Sequence, residues 1–168
     1  IYSSLDIPNT IRKYPKVMNN YPDNLTKILA GEVGVFNKYH SNIDTDYSFN
    51  VVNSYTVAFL HSLGANKITL SYELNETQIT ELISNYHKRY HKHPNLEVIV
   101  YGYPEIMISK FSLNKYYNNA DLKLEDRYHN LYRIETTNDL MTIYHCKLLD
   151  NRNIDYYKLG INSTRINL

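Results

Sequence analysis

Lys67-Ile-Thr-Leu-Ser71 and Leu96-Glu-Val-Ile-Val-Tyr101 bracket the run Asn75-Glu-Thr-Gln-Ile-Thr-Glu-Leu-Ile-Ser-Asn-Tyr-His-Lys-Arg-Tyr90, and the reading of this stretch decides the fold. The two outer pieces are short, rich in β-branched residues and bounded by polar ones, which predicts strands. Between them Ile79, Leu82 and Ile83 recur at helical spacing, and Tyr86 and Tyr90 extend the stripe. Asn75 or Thr77 can cap this helix, and His93-Pro94 closes it, because the residue before a proline disfavours helical backbone. Strand, helix, strand at this spacing is a βαβ unit, so the expected fold class is α/β with a parallel sheet.

Working upstream, Ser54 can cap a second helix whose apolar positions are Val57, Ala58, Leu60 and Leu63, with Gly64 as its stop. Gly31-Glu-Val-Gly-Val-Phe36 and Tyr47-Ser-Phe-Asn-Val-Val-Asn53 read as two further strands. Residues 1–30 form a loop-rich leading segment, since Pro8, Pro15 and Pro22 interrupt any long helix. Downstream of Gly102 and Pro104, Ile106-Met-Ile108 is apolar, but after Lys110 the periodicity fades into an irregular C-terminal insertion. Within it Tyr128-His-Asn-Leu-Tyr-Arg-Ile134 looks like part of a hairpin, and Ile161-Asn-Ser-Thr-Arg-Ile166 follows Gly160. No repeat of fixed period and no low-complexity tract is present.

The chain has 168 residues, 43% of them hydrophobic, which suffices for one domain with a sizeable core. Eighteen Lys and Arg against 17 Asp and Glu leave a net charge of +1, which excludes a strongly basic nucleic-acid module. No apolar run approaches the ~20 residues of a membrane-spanning helix, and no signal-like stretch leads the sequence, so a cytoplasmic location with no membrane partner is expected. One cysteine, Cys146, excludes an internal disulfide framework and any metal site built only of cysteines in this chain. Tyrosine is abundant, 18 against 4 Phe, in a background rich in Asn, Ile and Lys, and reads as compositional bias before it reads as an aromatic platform.

Ser71-Tyr-Glu73 and Asn50-x-x-Asn53 place polar groups at the C-terminal ends of predicted parallel strands, where α/β sheets and barrels build their sites. Turn and cap chemistry uses the same residue types, so both roles are open at these positions. Ser71 lacks the Gly-x-Ser-x-Gly turn of an activated serine. His87 and His91 have the four-residue spacing of a metal pair, but Lys88 and Arg89 between them oppose a cation, and no metal is expected. Cys146 reads as an inert thiol, and Asp126-Arg127 reads as turn and salt-bridge chemistry, although an arginine beside a cleft can hold an anion.

Taken in order, Asp46-Tyr-Ser-Phe-Asn-Val-Val-Asn-Ser54, Leu63-Gly64, Ile68-Thr-Leu-Ser-Tyr-Glu-Leu-Asn75, Leu96-Glu-Val-Ile-Val-Tyr-Gly102, Met107-Ile-Ser-Lys110 and Glu125-Asp-Arg127 resemble the C-terminal half of the catalytic-type domain of the collagenase-like peptidase family U32. The resemblance runs from about Gly31 to Leu168 and implies a partial TIM-type barrel over residues 31–168, with peptide-bond hydrolysis as the family's conventional activity. Other members are implicated in base hydroxylation of transfer or ribosomal RNA and in quinone-ring hydroxylation, with cysteines that hold an iron–sulfur cluster. This chain departs from that pattern: Ser112 stands where the first cysteine is expected, and none occurs before Asp126-Arg127 or near Thr136-Thr137. Serine is a poor ligand for soft iron–sulfur sites, so no such cofactor is expected here.

For a surviving activity the expected pocket lies at the strand ends. Glu73 would be the acid/base, Asn50, Asn53 and Ser71 hydrogen-bonding groups, and Lys110 and Arg127 anion holders. The expected partner is a peptide or protein substrate. The alternatives are RNA, favoured by the interleaved bases and tyrosines of Tyr86-His-Lys-Arg-Tyr90, and a non-catalytic, structural member of the family. A closed eight-stranded barrel typically needs ~250 residues. With Ile1 at one end and the strand-like Arg165-Ile-Asn-Leu168 at the other, the chain reads as part of a larger barrel, which a further segment or a second copy would complete.

Overall fold

Six short parallel strands lie side by side in chain order: β1 (Tyr2–Ser3), β2 (Ile11–Lys13), β3 (Ile28–Ala30), β4 (Ile43–Thr45), β5 (Ala65–Thr69) and β6 (Leu96–Gly102). Helix α1 (Ser54–Ser62) connects β4 to β5, and α2 (Glu76–Tyr90) connects β5 to β6. The chain continues through β7 (Glu105–Ser109), β8 (Lys123–Glu125), β9 (Leu131–Thr137), β10 (Leu140–Tyr144) and β11 (Leu149–Asp150), and returns with β12 (Ser163–Ile166) to pair with β6. The computed structural model describes residues 2–3, 8, 10–14, 16–17, 27–111, 113, 116–117, 122–137 and 140–167. Two compact units emerge, one of Ile1–Ile99 with Asp155–Arg165, the other of Val100–Ile154 with Ile166–Leu168. The fold is α/β, and the curled parallel sheet of seven strands is that of a partial barrel.

The two helices begin where side chains satisfy the free backbone donors of their first turns. Asn53 caps α1 by accepting from Thr56 N at 2.9 Å, one residue ahead of the expected Ser54. Asn75 and Gln78 form a reciprocal capping box on α2, with Gln78 N donating to Asn75 Oδ1 at 2.9 Å and Asn75 N to Gln78 Oε1 at 3.0 Å. Removal of the Asn75 cap by Asn75→Ala is expected to cost about 1 kcal/mol, read as a lower urea midpoint at unchanged slope. The helix ends earlier than the His93-Pro94 signal, because His91 adopts the left-handed conformation (φ 52°) and donates its N–H to His87 O.

Two expected strands are not strands. Val33–Asn37 is a 3-10 helix, because Glu32 folds its carboxylate back onto Gly34 N at 2.7 Å and turns the chain. Tyr47–Phe49 is likewise 3-10, capped by Asp46 and ended by Asn50 at φ 50°, so of that stretch only Val51 pairs, in a parallel bridge with Leu70.

On one face of the sheet the register aligns Ile28, Ile43 and Ala65 in one row and Ile68 with Leu96, all buried. Val57 and Leu60 of α1 and Ile79, Leu82 and Ile83 of α2 are buried as well, and α1 packs on both β5 and α2. Each such side chain contributes about 1.5–3 kcal/mol when removed from water. On the opposite face the same register places Lys13, Leu29, Asp44 and Lys67 in one row and Thr69 beside Glu97. Arg165 of β12 reaches Asp46, which directly follows β4, at 2.5 Å, although β5 and β6 lie between the two strands. Its guanidinium also lies 5.2 Å from the Tyr2 ring on β1, the far end of the sheet. Strands spaced about 4.8 Å apart allow such contacts only when the sheet curls round this polar face.

The second unit is built differently. Strands β7, β10, β9 and β8 form an antiparallel sheet in that order, and the hairpin expected near Tyr128 is the β8–β9 pair. Strand β11 runs antiparallel to the end of β6, with Leu149 opposite Gly102. Among the described residues no helix is long and apolar enough to cross a membrane.

Candidate functional site

The connections that leave the carboxyl ends of β4 and β5 open a groove of about 500 Å³ in the first unit. Asn53, Ser54 and Tyr55 enter it from the start of α1, Glu73 and Leu74 from the β5–α2 connection, and Gln78, Glu81, Asn85 and Arg89 from one face of α2. The α2 positions recur at three- and four-residue steps, which places them in one row along the helix. Arg89 Nη1 donates to Ser54 Oγ at 2.5 Å, and the guanidinium stacks 4.0 Å from the centre of the Tyr55 ring. Among the described residues Glu73, Glu81 and Arg89 have no ion-pair partner.

Two of the four strand-end candidates therefore meet. Asn53 and Glu73 share the groove, whereas Asn50 and Ser71 do not line it. Asn50 sits in its left-handed turn, donating its N–H to Tyr47 O at 2.9 Å. Ser71 is buried; its N–H donates to Val51 O at 3.1 Å, and its Oγ accepts from Glu73 N at 3.4 Å. These two residues hold the connections that present Asn53 and Glu73.

The polar face of the curled sheet carries a constellation that sequence reasoning missed. Asp44 accepts from Tyr2 OH at 2.9 Å and from Asn66 Nδ2 at 3.0 Å, and Lys27 lies 3.6 Å from it. Glu97 accepts from Lys67 at 2.7 Å, Thr69 Oγ1 at 3.1 Å and Ser163 Oγ at 3.3 Å. Arg165 joins Asp46 at 2.5 Å to Glu97 at 3.4 Å, and Lys13 lies 3.7 Å from the other Asp46 oxygen. Burial pushes the Tyr2 hydroxyl pKa well up, and the neighbouring Glu97 and Asp44 charges push it further. Burial opposes the charge on Arg165, but Asp46 and Glu97 outweigh it, so the guanidinium is held above its ordinary value. Every acid here faces a base, which makes the set a self-contained scaffold. Its sequence signal is the alternation of charged and apolar residues in Ile43-Asp-Thr-Asp46, Lys67-Ile-Thr69 and Leu96-Glu97.

Lys110 and Arg127 belong to the second unit, both exposed. Lys110 follows β7, and Arg127 lies in the β8–β9 turn with its guanidinium 4.7 Å from the Tyr128 ring. Asp126 organises that turn, accepting from Tyr128 N (2.8 Å), Asn130 N (3.0 Å), Asn130 Nδ2 (2.9 Å) and Tyr132 OH (3.1 Å). These donors, the Asn130 side chain foremost, hold its carboxyl below the usual range. The Tyr132 hydroxyl is pushed up to about 12, first by its bond to Asp126, with Cys146 contributing.

The donor set does not fit an iron–sulfur cluster held by this chain. Its one thiol, Cys146, is half-buried beside Tyr132. Thr136 and Thr137, near which the family's further cysteine is expected, are ladder residues of β9 opposite Met141 and Leu140. Ser112 lies outside the described residues. Among the described residues no three His, Cys, Asp or Glu side chains are grouped as a metal site.

A sequence model of peptidase family U32 matches residues 15–121, which include β4, α1, β5, α2, β6 and the whole lining of the groove. No curated protein and no solved structure gives a significant match.

Proposed function

The chain belongs to peptidase family U32, and on that footing we propose that it acts on peptide substrates as a hydrolase of the peptide bond, with the groove between α1 and α2 as its binding surface. The observation that carries this reading is the chemistry of the lining. Side-chain amides from Asn53, Gln78 and Asn85 complement a peptide main chain, while two of the three charged residues, Glu73 and Glu81, are carboxylates. A polyanionic RNA backbone is repelled by such a wall. The Tyr86-His-Lys-Arg-Tyr90 segment supports RNA less than its composition suggests. Tyr86 is buried, with its ring against Tyr90 at 4.9 Å and His61 at 6.3 Å, and Arg89 is stacked on Tyr55.

In this reading Glu73 takes a proton from the water that attacks the scissile carbonyl and returns it to the leaving amine. Asn53 Oδ1 is committed to capping α1, so the side chain offers its Nδ2 hydrogens to the oxygen on which charge develops. The test is incubation of the purified chain with gelatin and with a peptide library, with and without a chelator, reading new N-termini by mass spectrometry. Cleavage is expected, and Glu73→Gln should slow it by about 10²-fold or more, the usual contribution of a general acid–base group. No cleavage of any substrate overturns the proposal. A hydroxylated base missing from transfer or ribosomal RNA of a deletion strain would support the RNA reading instead.

A further inference from the structure

The groove has two ends of opposite charge. Glu81 and Arg89 both line it from the same row of α2, eight residues apart in sequence. At 1.5 Å of rise per residue that separation is about 12 Å along the helix. Glu73, from the β5–α2 connection, adds a second carboxylate to the lining. At the other end Arg89 uses Nη1 for Ser54 Oγ and lays its plane on Tyr55, which leaves guanidinium donors for a ligand. Between the charged ends the wall carries Gln78, Asn85 and the apolar Leu82 and Leu74. Among the described residues no ion pair neutralises either end.

We propose that this groove selects short peptides with both ends free, about four residues long, binding the terminal ammonium at Glu81 and the terminal carboxylate at Arg89. An extended chain advances about 3.3–3.6 Å per residue, so a tetrapeptide spans the ~12 Å between the two charges, whereas a dipeptide falls short. A single-charged ligand satisfies one end and leaves the other without a partner. The interior of a long polypeptide has neither terminus to offer. This inference rests on the peptide-hydrolase reading above and deepens it, turning a protein substrate into the small products of earlier proteolysis.

The experiment is an NMR titration of the full chain with tetraalanine, its N-acetylated form, its C-amidated form, dialanine and octaalanine. Tetraalanine with free ends should bind best. Blocking either terminus should weaken binding roughly fivefold, the effect of losing one partly solvated charge pair. Arg89→Gln should abolish the response to amidation and keep the response to acetylation, and Glu81→Gln should do the reverse. Because the blocked peptides are compared on the unaltered protein, the central result needs no variant to fold. No binding of tetraalanine, equal affinity for free and blocked peptides, or equal affinity for dialanine and tetraalanine overturns the inference. Gelatin cleavage without any dependence on peptide ends would overturn it and leave the hydrolase reading standing. End-dependent binding with no cleavage of any peptide would do the opposite.

Discussion

Replacing Arg165 with Met is expected to destabilise the first unit by about 3–5 kcal/mol, the usual cost of removing one member of a buried ion network. The Arg165 side chain is 9% exposed, and its two partners, Asp46 and Glu97, are 1% and 3% exposed. Met keeps much of the length and packing of the side chain, so the loss isolates charge. Two carboxylates then face each other across the sheet with Lys13 and Lys67 as their remaining cations. Urea denaturation followed by circular dichroism measures the change, and adding Asp46→Asn to Arg165→Met should restore part of it. A loss below about 1 kcal/mol would mean that water already solvates this face, as it does a surface pair.

Gly64→Ala should cost a comparable amount, about 3–5 kcal/mol, for a different reason. Gly64 ends α1 at φ +104°, and a Cβ there would lie 2.2 Å from the backbone oxygen of His40 and 2.8 Å from its carbonyl carbon. The conformation itself costs an L-residue about 1–3 kcal/mol, and displacing a backbone segment adds a similar amount. Thermal unfolding should show the drop. A stability within about 0.5 kcal/mol of the parent would mean that the α1–β5 turn rebuilds freely. By contrast, a Cβ on Gly34 meets the carboxylate of Glu32, the far end of a flexible side chain.

The βαβαβ centre was legible because its signals are local. Asn75 and Gln78 sit at the spacing of a capping box, and the apolar stripe of Ile79, Leu82 and Ile83 has the helical period. Strand signals failed where a side chain redirected the backbone. Gly31-Glu-Val-Gly-Val-Phe36 has the composition of a buried strand, yet the Glu32 carboxylate on Gly34 N turns it into a 3-10 helix. The groove was half legible. Polar residues at strand ends flagged Asn53 and Glu73, but Arg89 gave no such sign, because a basic residue near a helix C-terminus is ordinary dipole chemistry. The acids and bases of the sheet were illegible for a geometric reason. Asp44, Lys67 and Glu97 alternate with apolar residues, a pattern that reads as one buried face and one solvated face. Curling of the sheet turns the second face inward as well, and periodicity along one strand carries no information about curl.

The contact between Arg165 and Asp46 joins residues 119 apart in sequence, whereas β4, α1, β5, α2 and β6 occupy one continuous stretch. Chain-closure entropy grows only as the logarithm of loop length, so each doubling of the intervening chain costs about 0.6 kcal/mol. The segment between β6 and β12 can therefore grow or shrink at small thermodynamic cost while the arginine still finds its acids. Kinetics are less forgiving, since a long-range contact must wait for its ends to meet. The central β4-to-β6 stretch can form first from near neighbours, with Asp46 and Glu97 still hydrated, and β12 then arrives as a bolt that replaces water with a guanidinium.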